Sequence, residues 1–161
     1  GNVFHLNFYE DSEIGEIIER SSKILNMPAN SEAMGLIARR SRKTPRVANR
    51  LLRRVRDFAE VKNNGHLDEL IVREALSMLG IDDCGLDEID RRILETIMKK
   101  FQGGPVGLNT IAAATGEEMA TIEEVYEPYL MQSGFLHRTH QGRVATPLAF
   151  KHLGIEQNKL L

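Results

Sequence analysis

Between Glu10 and Ser133 no stretch alternates apolar and polar residues as a half-buried strand does; apolar residues instead recur every three or four positions. A chain patterned this way has little sheet to build and must bury helical stripes against one another. The stripes are short, because Asn26-Met27-Pro28, Asn63-Asn64-Gly65, Gly103-Gly104-Pro105-Val106-Gly107 and Ser133-Gly134 interrupt them. Strand patterns stand only at the two ends. In residues 3–8 Phe4, Leu6 and Phe8 fall on one side with no partner nearby, which reads as the torn end of a sheet. Residues 135–138 and 143–146 are two short strand-like runs joined by the Gly-containing turn Thr139-His140-Gln141-Gly142.

The helical pattern divides into two sets. In the first, a helix near Ser12–Leu25 buries Ile14, Ile17, Ile18 and Leu25, and a second, capped by Asn30 or Ser31, carries Ala33, Met34, Ile37 and Ala38. A third opens at Thr44-Pro45, a good N-cap followed by the residue that fits the first helical position, and buries Val47, Leu51, Val55 and Phe58. A fourth covers about 68–79. The polar, Gly-flanked run Gly80-Ile81-Asp82-Asp83-Cys84-Gly85 then reads as a flexible linker. The chain's 161 residues are thus expected to form two small domains, 1–80 and 87–155, with 81–86 between them and a tail at 156–161.

The second set has a different grammar. A helix at about 87–101 is followed by the GGPVG turn, a short helix at 108–115 stopped by Gly116, and a third helix opened by a Thr121/Glu124 capping box and running to Gln132. The hairpin comes next, and 147–155 closes the unit. Helix, helix, helix, hairpin is the order of a winged helix. The expected fold class is mainly α, with a four-helix domain before a winged helix carrying one small hairpin.

Composition is that of a globular protein, 42% apolar and 27% charged, which excludes disorder and a disulfide scaffold. No run reaches the roughly 18 apolar residues of a membrane span, and no secretory leader is read at the start. The first residue is Gly1, so the chain reads as a processed or excised piece. One cysteine, Cys84, suits a reducing cytoplasm. Charge is near balance at −2, but residues 39–56 hold nine of the 21 Lys and Arg and none of the 23 acids. The helix at 121–132 and its approach carry Glu117, Glu118, Glu123, Glu124 and Glu127 without a base, which phosphates would repel. Arg138 and Arg143 bracket the hairpin turn, with His137 and His140 nearby. Two such cations can lie along a phosphate backbone and need no base contact. No His/Cys spacing predicts a metal site, and no nucleophile–base arrangement is evident.

The words SRKTPRVANRLLRRVRDFAEVK (41–62), GGPVGLNTIAAATGEE (103–118), EPYLMQSGFLHRT (127–139) and GRVAT (142–146) resemble the second half of the RuvB family, bacterial ATPases that drive Holliday-junction branch migration. The resemblance implies that 1–80 is an AAA+ lid with a stub of the ATPase domain before it, and 87–155 a DNA-binding winged helix. It also implies ATP with magnesium as cofactor of the full-length protein, a homo-hexamer on the duplex arms of a junction, RuvA and RuvC as partners, and a cytoplasmic setting. The family's "sensor 2" arginine, which touches nucleotide phosphates from the lid, matches Arg46. Family positions lining the adenine match Tyr9 and Pro45, and family DNA contacts match Arg138 and Arg143. Lys43 stands where the family usually has Gly, and His140-Gln141 where it often has Pro-Arg. Arg50, Arg53, Arg54 and Arg56 are read as structural or subunit-contact residues. No P-loop Gly-x-x-x-x-Gly-Lys-Ser/Thr is present, so these 161 residues alone are not expected to hydrolyse ATP. Two other readings are a winged-helix transcription regulator and a protein-interaction module. The glutamates argue against the first, because base readout needs donors.

Overall fold

A computed structural model describes residues 8–157; the strand pattern at 3–8 lies almost wholly outside them. Two compact units are formed, the first running to Asp87 and the second starting at Glu88.

The first unit is four helices: α1 (Asp11–Ile24), α2 (Ser31–Arg39), α3 (Pro45–Lys62) and α4 (Glu69–Met78). Side chains cap three of them, where Asn30, Thr44 and Asp68 accept from the backbone N–H of Ala33, Val47 and Ile71 at 2.8, 3.4 and 2.9 Å. The start of α1 is corrected. Its N-cap is Glu10, in a capping box with Glu13, and Ser12 already lies inside the helix. Ile14 and Ile18 of α1, Leu36 and Ile37 of α2, Leu52 and Val55 of α3 and Val72 and Leu76 of α4 close one core, each at most 2% exposed. An apolar core of this kind is the main stabilising term of so small a unit.

Residues 81–86 differ from the open linker expected of them. Asp82 accepts at one carboxylate oxygen from the backbone N–H of Cys84 (2.9 Å) and Leu86 (3.0 Å), closing a turn. Arg40, at the end of α2, donates to Asp83 at 2.8 Å from a largely buried position. Gly85 has φ +78°, and a Cβ there would stand 3.0 Å from the Arg40 carbonyl oxygen. The Gly and Asp residues that resemble a linker in composition are here the parts of a turn folded against α2. Burial and the neighbouring Asp82 and Asp83 carboxylates push the Cys84 thiol above its usual range, which leaves it a poor nucleophile.

The second unit runs α5 (Glu88–Glu95), a π-helical turn Thr96–Lys100, α6 (Leu108–Thr115), α7 (Met119–Thr121), a second π-helical turn Ile122–Tyr126, α8 (Glu127–Gln132), the strands β1 (Leu136–Thr139) and β2 (Gly142–Ala145), and α9 (Pro147–Leu153). Ile93, Leu94, Ile97, Ile111, Ile122, Leu130, Leu136 and Ala149 are its buried centre. The capping box at Thr121 is corrected: Thr121 has helical φ and ψ, and the helix begins two residues earlier at Met119. Glu118 is the N-cap, with no side-chain cap bond, so the Thr-x-x-Glu pattern lies inside the helix and does not mark its start. Pro128 accounts for the wide turn before it, since it has no N–H to continue the regular ladder.

The hairpin is antiparallel, pairing Leu136 with Ala145, His137 with Val144, Arg138 with Arg143 and Thr139 with Gly142. The GGPVG segment adds a third edge. Val106 and Arg143 exchange backbone hydrogen bonds at 2.9 and 2.7 Å, and the Ala145 N–H donates to the Gly103 carbonyl at 2.9 Å. Two glycines permit this approach. A Cβ at Gly142, φ +136°, would stand 2.5 Å from the Val106 backbone, and one at Gly104 would overlap the Arg143 carbonyl oxygen.

Candidate functional site

Tyr9, Pro45 and Arg46 come together at one end of the first unit. The Tyr9 N–H donates to the Lys43 carbonyl at 2.8 Å, which fastens the entering chain one residue before the Thr44 cap. Pro45 and Arg46 are the first two residues of α3, and Arg46 is exposed. Pro45 has no N–H and Thr44 caps that of Val47, so the Arg46 N–H and the helix dipole are what make this end attractive to an anion, and the guanidinium adds a fork for its oxygens. The chain reaches the cap through two left-handed residues, Arg42 (φ 56°) and Lys43 (φ 57°). Such a backbone is costly for a residue other than Gly, so Lys43 sits where a glycine would fit with less strain.

Beyond Arg46 the exposed side of α3 continues as Arg50, Arg53 and Arg54, lining a shallow groove with Asn49. No ion pair joins any of these four arginines to an acid among the described residues. Asn49 is itself held by a hydrogen bond from Ser21 Oγ of α1 at 2.9 Å.

Arg138 and Arg143 also come together, but not as two free cations. They face each other across the hairpin, and both donate to Glu127, whose side chain is fully buried. Arg138 Nη2 lies 2.6 Å from one carboxylate oxygen, and Arg143 Nε lies 2.6 Å from the other. Glu123 adds a looser contact to Arg143 at 3.9 Å. The hydrogen bond to Glu127 makes the Arg138 guanidinium still harder to deprotonate than usual. Sequence reasoning groups Glu127 with four other acids that phosphates would repel and misses this role. Ile122 and Glu127 are five residues apart, about 140° around an α-helix, so a regular helix would put them on different faces. The π-helical turn between them removes most of that angle, and both are fully buried. Pro128 was the available signal that the helix is not regular there.

Family models match the two units in turn. The model described as the RuvB AAA lid domain matches residues 9–82, and that described as the RuvB C-terminal winged helix domain matches 83–154. The chain belongs to the RuvB family. It is 56% identical over 154 residues to the Holliday junction branch migration complex subunit RuvB of Nostoc punctiforme, covering 96% of this chain and 42% of that protein. The corresponding subunit of Dehalococcoides mccartyi is 57% identical over 155 residues, with 96% and 44% covered. The chain therefore spans less than half the length of these two RuvB relatives. A solved structure titled as the Thermotoga maritima RuvB Holliday junction branch migration motor superposes with a TM-score of 0.90 at 49% identity, covering 94% of this chain and 51% of that one. Tandem lid and winged helix are thus the shared fold, as the sequence words implied.

Proposed function

We propose that this chain is the lid and winged-helix part of an ATP-driven motor that moves duplex DNA through Holliday junctions. The observation that carries the reading is the unbroken likeness to RuvB subunits over 96% of the chain. In this reading Arg46 contacts the nucleotide phosphates from the lid, with Tyr9 and Pro45 beside the adenine. The residues fit that part: a guanidinium stands exposed in the first turn of α3, and the Tyr9 N–H fastens the segment before it. Neither a phosphate cradle nor its lysine is in the sequence, so ATP and magnesium are held mainly by an ATPase domain of the longer protein, and these 161 residues alone turn over no ATP. When bound there, ATP supplies the free energy of its hydrolysis. An arginine that touches phosphate from the lid passes the change on hydrolysis to the lid as a rotation. The wing contacts duplex DNA through its backbone, at Arg138 and Arg143, without regard to sequence. The longer protein forms a hexamer on junction arms with RuvA and RuvC, in the cytoplasm.

Binding of a labelled random duplex and a four-way junction by the purified chain tests the wing. Weak binding that falls with salt and ignores sequence is expected, and binding that depends on base sequence would replace the motor reading with a regulator.

A further inference from the structure

Two consecutive cations, Arg42 and Lys43, stand in the left-handed region just before the Thr44 cap, at φ 56° and 57°. Outliers of this kind are disfavoured for a residue with a side chain and persist where the surroundings hold them. The two cations are employed differently. Arg42 buries its Nη2 and is engaged inside the protein. Lys43 is half-buried, and its backbone carbonyl is tied by the Tyr9 N–H at 2.8 Å. Its ammonium meets neither an acid nor another hydrogen-bond partner among the described residues. The fold therefore carries a strained, pinned lysine whose charge no internal group answers. Lys43 also lies three residues before Arg46, so their Cα atoms are no more than about 11 Å apart. Two long cationic side chains rooted that close can reach one triphosphate.

We propose that Lys43 is a second lid cation for the nucleotide phosphates, attracting them as a point charge beside the Arg46 fork. The proposal rests on the nucleotide reading of Arg46, Tyr9 and Pro45 given above and adds a residue to it. An ammonium has no planar fork, so it draws phosphate in without fixing its orientation. It favours the bound nucleotide and the transition state about equally, which lowers KM and leaves kcat nearly unchanged. Arg46 supplies the fork that orients the phosphates, and its loss falls on kcat. The Tyr9 bond joins the two parts of the site, because the residue read as bordering the adenine holds the backbone of the residue that supplies the charge.

The test uses a polypeptide that carries the ATPase domain, with steady-state ATP hydrolysis over a salt series, and thermal unfolding of the 161-residue chain in parallel. Lys43→Gln keeps the left-handed backbone and loses the charge, whereas Lys43→Gly loses the charge and relieves the backbone. Each is expected to raise KM for ATP about three- to tenfold, as removal of a partly solvated charge-assisted contact does, with kcat changed by less than about twofold. The gap from wild type is expected to shrink as salt rises. Lys43→Arg is expected to hold KM within about twofold of wild type, since the charge is kept. Lys43→Gly alone is expected to raise the unfolding midpoint. The proposal is overturned if Lys43→Gln leaves KM unchanged, or if Lys43→Gly raises KM and Lys43→Gln does not, which would assign the effect to the backbone. It is also overturned if Lys43→Arg raises KM as far as Lys43→Gln does. Arg46→Ala in the same polypeptide separates the two failures. A lowered rate there with no response to Lys43→Gln overturns this proposal alone, and no response to either overturns the nucleotide reading with it.

Discussion

The protein has two arginine clusters, and they use their charge in opposite ways. Along α3, Arg46, Arg50, Arg53 and Arg54 are exposed and meet no acid among the described residues. In the wing, Arg138 and Arg143 converge on one fully buried carboxylate. Sequence reasoning reads Arg46 as a phosphate contact, Arg50, Arg53 and Arg54 as structural or subunit-contact residues, and Arg138 and Arg143 as two cations for a phosphate backbone. The structure leaves the denser cluster open and pairs the sparser one with a buried carboxylate. What separates them is a single acid brought under the hairpin by a wide helical turn. A cationic segment is available to an external anion only to the extent that no internal one has been folded against it.

The largest effect that would break this contrast is on Glu127. Glu127→Ala leaves two guanidiniums without their acid, one of them mostly buried, and should cost about 3 kcal/mol or more, read as urea unfolding of the second unit. A loss below about 1 kcal/mol would mean the wing arginines are as free as those of α3. Next comes Arg46→Ala, placed in a polypeptide that carries the ATPase domain. Hydrolysis is expected to fall about tenfold or more, about 1.4 kcal/mol of lost stabilisation, with folding stability unchanged. An unaltered rate removes Arg46 from the nucleotide site.

Two smaller effects sharpen the comparison on the α3 side. Lys43→Gly relieves a left-handed non-glycine backbone and should stabilise the first unit by up to about 1 kcal/mol, measured by thermal or urea unfolding; destabilisation would show that the Lys43 side chain is held in place. Arg50→Gln together with Arg53→Gln should change stability by no more than about 0.5 kcal/mol, slightly upward, since only repulsion one turn apart is lost. Limited proteolysis supplies the remaining check. Cleavage after Asp82 or Asp83 is expected to be slow in the wild type and faster in Arg40→Ala, which removes the ion pair holding that turn.

The helices of the first unit were legible because their signals are local. Asn30, Thr44-Pro45 and Asp68 cap by contacts within one turn, and the apolar spacing of Leu51 and Val55 states the buried face directly. The hairpin was legible to within a residue for the same reason. The family words carried the pairing of Tyr9 with the start of α3, which no local rule reaches. Three things were not legible. Val106 is a strand edge only because Arg143 stands opposite it, far along the chain. Residues 80–86 have the composition of a linker, and the partner that folds them, Arg40, lies in another helix. The change of Glu127 from surface acid to buried counter-ion depends on a turn of irregular width, which a fixed 3.6-residue period cannot express.

That wide turn also sets how this stretch of the chain can change over generations. A regular helix of the same length would turn Glu127 about 140° from Ile122, whereas a helix one residue shorter would leave the two four apart, about 40°, on one face without any wide turn. Length and regularity are therefore coupled in this helix: the carboxylate keeps its place under the hairpin when both are kept or both change together. The tip of the wing at His140-Gln141, which is exposed, lies outside that coupling.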